Sequence, residues 1–262
     1  MPDVEIHPAA IIDPEAIIGD ETKIGPYCVI SAGVQIGRGC VLHNHVSIEG
    51  NTVIGDQNTF HAHSAIGGQS QDLKYSGEPT HLEIGSQNTF REFVTVNRGT
   101  APGNKTLVGS HGIFLAYSHI AHDCVVGDHV IFSNNGTLAG HVQMGDYAIL
   151  GGLTAVHQFC RIGPHAMTGG CSKIVQDVPP FMIADGNPAE IRSINAIGLQ
   201  RRGFADEDIR ALKEAYKTIF LRKMTVADAL AKLKNNSSGL TDDHPVQILI
   251  SFIESSERGI LR

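Results

Sequence analysis

An aliphatic or aromatic side chain stands at every sixth position from Ile6 to Ile66, through Ile12, Ile18, Ile24, Ile30, Ile36, Leu42, Ile48, Ile54 and Phe60. The spacing resumes at Ile84, Phe90 and Val96, then runs from Val108 to Ile174 with Thr168 as its only miss. Two residues before these positions the side chain is mostly small or β-branched, as at Ala16, Thr22, Cys28, Cys40, Cys124 and Cys160. A helix repeats its apolar face about every 3.6 residues and an ordinary strand every second one, so neither explains a period of six. Three short strands joined by sharp turns do, with one bulky and one slim residue per strand turned into a narrow prism. The 26 hexads make about nine coils and, at roughly 4.8 Å per coil, a prism about 40 Å long.

Two stretches break the period. Residues 68–81 include Gln71-Asp72-Leu73-Lys74-Tyr75, with polar Asp72 and Glu78 at hexad positions, and residues 98–105 include Gly99, Pro102 and Gly103. Loops that leave a regular wall are candidate functional elements. After Val178-Pro179-Pro180 the period stops. The sequence then predicts a helical segment opening at Gly186-Asn187-Pro188 and ending near Gly203, followed by three helices. One carries Ile209, Leu212, Tyr216, Ile219 and Phe220; one starts at Thr225 with Asp228 in a capping-box position; the last runs from about Pro245 to Glu257 with Ile248, Leu249 and Phe252 inward and Gly259 as its stop. The expected organisation is mainly β: a parallel β-helix over residues 1–186 and a small α-helical domain over 187–262 that covers one end or side of it.

Composition narrows the function. The chain has 262 residues, 42% of them hydrophobic, enough for a substantial core, and no apolar run long enough for a bilayer or a signal peptide, so a cytoplasmic protein without stable membrane insertion is expected. A net charge of -7 speaks against nucleic acid as a partner. The charge is uneven: residues 200–234 are +4 and the remainder -11, a local field that suits an acidic partner or a phosphorylated ligand, or simply a solvated helix face. Four of the five cysteines occupy slim inward positions and read as core filler, with Cys171 outside the pattern.

Positions about 18 residues apart stack on one corner of the prism. On this count His122, Gly140 and Gln158 form a column, with His119 and Asp123 beside the first, His141 after the second and His157 before the third. Histidine can take up and release a proton near neutral pH, Asp123 could orient His122, and Gly140 brings a bare backbone N–H where an oxyanion could sit. A second column, His45, His63 and His81, reads as a surface ladder, with zinc ligation as the other possibility. Gly152 and Gly170, also 18 apart, either open a groove for an extended apolar chain or serve turns.

The segments Ser118-His119-Ile120-Ala121-His122-Asp123-Cys124, Asn134-Asn135-Gly136-Thr137-Leu138-Ala139-Gly140-His141-Val142, Gly152-Leu153-Thr154-Ala155-Val156-His157-Gln158-Phe159 and Leu199-Gln200-Arg201-Arg202-Gly203-Phe204, together with Gln71 to Tyr75, resemble those of the acyltransferases that load UDP-N-acetylglucosamine from acyl carrier protein in lipid A biosynthesis. The resemblance covers nearly the whole chain. It implies a left-handed coil, a homotrimer with active sites between subunits, and no cofactor beyond the carrier's phosphopantetheine arm. His122 would be the general base, Asp123 its orienting partner, and the Gly140 N–H the oxyanion donor. Gln71, Asp72, Lys74, His119 and His141 would contact the sugar or diphosphate; His157, Gln158, Asn195, Arg201 and Arg202 would place the nucleotide or acyl donor; Gly152 and Gly170 would line the acyl groove. Two positions depart from the family pattern. Asn97 stands where relatives carry histidine, and Ile197 replaces an acidic residue, which leaves open a 3-amino rather than a 3-hydroxyl acceptor. The alternative from another class is a trimeric zinc enzyme of the γ-carbonic-anhydrase kind, which shares the solenoid.

Overall fold

A computed structural model describes residues 4–236 and 239–262. Twenty-six short strands, β1 (Glu5–Ile6) to β26 (Lys173–Ile174), follow the sixfold period one for one and wind into a left-handed coil with three parallel faces. Face 1 holds β1, β4 and every third strand after them, face 2 starts with β2 (Ile11–Ile12) and face 3 with β3 (Ile17–Ile18). The bulky hexad residues meet inside: Phe60, Phe90, Phe114 and Phe132 are fully buried, with ring centroids 4.9, 4.6 and 5.0 Å apart. That spacing is the rise between coils, so one ring per coil builds a continuous column. Thr168 breaks the apolar pattern but not the packing, because its hydroxyl accepts the Gly151 N–H at 2.8 Å and bonds Thr154.

The slim positions do more than fill space. Thr22, Cys28, Cys40, Cys124 and Thr154 each donate to a carbonyl at the corner of the next coil. Burial pushes the Cys124 thiol up to about 12 and the Cys160 thiol to about 11, so both stay protonated.

Most corners turn on a residue in left-handed backbone conformation, and most of these are not glycine: Tyr27, His45, His63, Phe93 and Tyr117 lie between faces 1 and 2, Asp123, His141 and Phe159 between faces 2 and 3, and His111, His129, Tyr147, His165 and Phe181 between faces 3 and 1. Such a conformation costs on the order of 1 kcal/mol or more per residue. The rings repay part of it by stacking along the corners at 4.5–5.7 Å, a contact worth about 0.5–1.5 kcal/mol per aromatic pair. His81 is not in the ladder. The loop before it lengthens the repeat, so His63 stacks on Phe93 while His81 pairs in face 3 with Asn51 and Lys105.

Residues 187–194 correct the expected helix: β27 (Met182–Gly186) and β28 (Ala189–Ile194) form an antiparallel hairpin that extends face 1, and the 186/187 boundary falls inside its turn. Helices α1 (Ala196–Arg201), α2 (Asp206–Tyr216), α3 (Val226–Asn236) and α4 (Pro245–Glu254) follow, α2 running on into a π-helical turn, Lys217–Leu221. Thr225 and Asp228 form the expected cap. Helix α4 ends at Glu254 with Ser255 as its cap rather than at Gly259, and Pro245, Val246, Leu249, Ile250 and Ile253 are its buried residues, with Ile248 and Phe252 only partly covered. Arg161 stacks 4.0 Å over Phe252 and bonds Ser255, while buried Asp177 accepts from Ser256 and bridges to Ile260, so this segment closes the C-terminal end of the coil. At the other end Ile6, inward by pattern, is 48% exposed.

Candidate active site

Both loops leave from one corner. Residues 69–80 and 98–104 each connect a face 2 strand to a face 3 strand, and the next coil at that corner carries His122 and Asp123. The loops hold each other through Ser70 and Thr100, whose hydroxyls are 2.7 Å apart, and through the Gly103 N–H to the Pro79 carbonyl. The second loop then reaches the acid. Asp123 accepts the Thr100 N–H at 3.1 Å and the Asn104 amide at 3.1 Å, and lies 2.8 Å from His122 Nδ1. Its burial opposes ionisation, but the bonds from His122, Thr100 and Asn104 outweigh it and hold the carboxyl below its usual range. Asp123 is therefore a carboxylate, and a proton on His122 Nδ1 leaves Nε2 with a free lone pair.

Gly140 lies one coil further on, where a Cβ would collide with the His122 ring. Its small size seats the imidazole, and its own N–H makes no hydrogen bond within the described residues. His141 stacks on Phe159 and stands edge-on to His122 with centroids 5.2 Å apart, its Nε2 3.8 Å from Asp123. His119, on face 2, bonds Thr95 at 2.7 Å; burial and the nearby His122 both lower its affinity for a proton. His157 and Gln158 follow at the same corner, exposed, with Arg258 reaching His157. The column expected from sequence is thus assembled. Thr95, Thr100, Asn104 and Phe159 were missed; the break in the period at 98–105 flagged the loop but not its target.

Other expected residues sit elsewhere. Gln71 and Lys74 are exposed, Asp72 accepts the Lys74 N–H within its own loop, and Leu73 at the tip is 102% exposed. Asn97 is buried and ties the first loop to the wall through Gln69. Asn195 has both ends of its amide occupied, donating to the His165 carbonyl and capping Gly198, so it orders α1. Arg202 lies 4.3 Å over the Tyr147 ring, and its neighbour Phe204 meets His165 edge-on. Arg201 alone of the pair is exposed, beside a cavity of about 830 Å³ on face 1 with Ile149, Met167, Ile197, Lys213 and Lys217 around it. Gly152 and Gly170 do stack, at the corner between faces 1 and 2, where the Cys171 N–H reaches the Gly152 carbonyl. A hollow of about 880 Å³ among Glu5, Lys23, Tyr27 and His45 lies along face 1 and its corner in the first three coils, at the opposite end from α1–α4.

The fold and this corner define a hexapeptide-repeat transferase, and residues 3–38 match that family's description, bacterial transferase hexapeptide (six repeats). Residues 177–261 match the second domain of UDP N-acetylglucosamine O-acyltransferase. The acyl-[acyl-carrier-protein]--UDP-N-acetylglucosamine O-acyltransferase of Akkermansia muciniphila is 55% identical over 97% of this chain and 98% of its own length, and that of Trichlorobacter lovleyi 52% identical over 99% and 100%. The structure of UDP-N-acetylglucosamine O-acyltransferase from Moraxella catarrhalis superposes with a TM-score of 0.93 at 43% identity, covering 98% of this chain and 99% of the other. The chain belongs to the acyl-[acyl-carrier-protein]--UDP-N-acetylglucosamine O-acyltransferase family, which favours acyl transfer over the γ-carbonic-anhydrase alternative.

Proposed function

We propose that this enzyme moves a 3-hydroxyacyl chain from acyl carrier protein to the 3-hydroxyl of UDP-N-acetylglucosamine, the first step of lipid A biosynthesis, with His122 as general base. One observation carries the mechanism: a buried imidazole whose Nδ1 faces a carboxylate held ionised by two further donors. His122 Nε2 takes the hydroxyl proton, and the sugar oxygen attacks the thioester carbon. The oxyanion meets the unpaired Gly140 N–H. Collapse breaks the carbon–sulfur bond, and the carrier thiolate takes the proton back from His122. The thioester is already activated, so this route needs no resident cofactor.

Coil 152–158 crosses face 2 from the bared Gly152 corner to His157 and Gln158, passing exposed Ala155. An acyl chain reacting at His122 can lie along that face toward Gly170, where each buried methylene contributes about 0.8 kcal/mol. One prism leaves this face uncovered and holds Leu73 entirely in solvent, which supports a homotrimer in which a neighbour's loop, with Asp72 and Lys74, closes the site. The cavity beside Arg201 suits the nucleotide, and the exposed Lys213 and Arg222 region suits acidic carrier protein. No helix among the described residues is long and apolar enough to cross a membrane, consistent with work in the cytoplasm.

The test supplies purified enzyme with acyl carrier thioesters of graded length and either UDP-N-acetylglucosamine or its 3-amino analogue. An ester formed faster than an amide supports the reading; amide formation alone transfers it to the amino acceptor. Gly170→Met should shift the preferred donor to shorter chains, and an unchanged length profile removes Gly170 from the groove.

A further inference from the structure

His122, Asp123 and His141 offer one ligand atom each, and the three lie within 4.8 Å of one another. Among the described residues no other group of three such side chains does so. The separations are 2.8 Å between His122 Nδ1 and Asp123 Oδ2 and 3.8 Å between that oxygen and His141 Nε2. In a tetrahedral zinc centre with bonds of about 2.0–2.2 Å, neighbouring ligand atoms stand roughly 3.3–3.5 Å apart. One side is shorter and one longer than that range, and the third is no more than 4.8 Å, so the set completes when the His122–Asp123 pair opens slightly and the partly exposed His141 swings in.

The surroundings are those of a built ligand set. The Asp123 carboxylate is fixed by the Thr100 N–H and the Asn104 amide, the kind of outer hydrogen bonds that orient metal-binding carboxylates. The His141 ring is backed by Phe159 at 4.6 Å, and the bare Gly140 lets the His122 ring sit against the wall. Three protein ligands leave a fourth position for water.

We propose that this corner is an inhibitory site for a divalent transition ion of the zinc type, bound by His122 Nδ1, Asp123 and His141 and incompatible with catalysis. The inference rests on the general-base role of His122, and the incompatibility is one of electron pairs. Catalysis needs a proton on Nδ1 and a lone pair on Nε2. A metal on Nδ1 takes that nitrogen's lone pair and displaces its proton, and the ring remains neutral by carrying its hydrogen on Nε2. The imidazole then has no lone pair left to accept the sugar hydroxyl proton. The same ion also removes Asp123 from its partnership with His122.

Zinc and cobalt(II) serve as probes on the intact enzyme carrying Cys171→Ser, which removes the exposed thiol. Cobalt should bind once per chain with the visible spectrum of nitrogen and oxygen ligation, zinc should displace it, and acyl transfer should fall with zinc occupancy and return on chelation. His141→Gln should raise the zinc concentration for half-inhibition by about 10-fold or more, relative to its own uninhibited rate, and should abolish the cobalt spectrum. Unchanged zinc sensitivity in His141→Gln, or no cobalt binding at all, overturns the site. Cobalt bound at this corner with acyl transfer undiminished overturns the inhibition and, with it, the base assigned to His122. Absence of binding while His122→Ala abolishes turnover discards the metal site and leaves the catalytic reading in place.

Discussion

Two corners of the same prism carry histidines stacked on aromatic rings, and they have opposite uses. Between faces 2 and 3, His122 meets a carboxylate at 2.8 Å and a bare glycine, and one loop delivers two donors to that carboxylate. Between faces 3 and 1, His165 lies between Tyr147 and Phe181 with Phe204 edge-on, and its buried Nδ1 has no partner. Burial, reinforced by Arg202, lowers the His165 pKa to about 4. The first imidazole has a carboxylate placed against its Nδ1; the second is kept neutral by its burial and works as a flat packing unit. Place in the ladder and polar surroundings together set this difference: His165 is a stacked corner residue, whereas His122 stands one residue before the corner position held by Asp123, edge-on to His141, and Asp123 is met by polar groups from elsewhere in the chain.

Removing each ring should separate the two roles most sharply. His122→Ala should lower turnover about 10²-fold to 10⁴-fold with little change in melting temperature; near-normal turnover in a folded protein would falsify the general base. Gly140→Ala leaves the dyad's chemistry intact but drives its ring off the wall, since the new Cβ collides with it. A misplacement of about 1 Å can cost on the order of 10²-fold, so a turnover close to that of the parent would mean that the ring has room to spare. Asn104→Ala withdraws one of the donors to Asp123, and a loss of roughly tenfold, close to the lower end for a hydrogen bond to a charged group, is expected in kcat.

The smallest effect on rate belongs to the other corner. His165→Phe keeps a flat ring in the stack and should leave turnover within about threefold. Stability against pH is where it should show. The folded pKa of about 4 lies below the unfolded value near 6.5, so the unfolded chain binds more protons in that window. Stability is therefore full above about pH 6.5 and falls as pH drops toward 4, by up to about 3 kcal/mol. The Phe variant should lose that part of the acid limb in melting curves taken across the window; an identical limb would show that His165 is not responsible for it.

Much of this was legible from residue spacing. Every hexad from Ile6 to Ile174 became one strand, and the column from His122 through Gly140 to Gln158 stands where an 18-residue count puts it. That count holds only where coils are uninterrupted. Phe60 stacks on Leu42, 18 residues earlier, but its next partners are Phe90 and then Phe114, at intervals of 30 and 24. The loops absorb the extra residues, and for that reason His81 left its expected ladder while Thr100 and Asn104 arrived at Asp123 unannounced. Asn195 and Arg202 show a second limit. Their residue types suit ligand binding, yet one caps α1 and the other covers Tyr147, contacts that exist only once β28 has turned back along face 1.

The sequence by itself determined the prism and its inward residues and put Asp123 next to His122, because inward and outward directions repeat with the strand and bonded neighbours stay close. Only the tertiary structure decided which corner the loops leave, who donates to the carboxylate and which histidine stays neutral. Those outcomes depend on groups far apart in the chain meeting in space, and the lengths of the intervening loops, not the period, set that meeting.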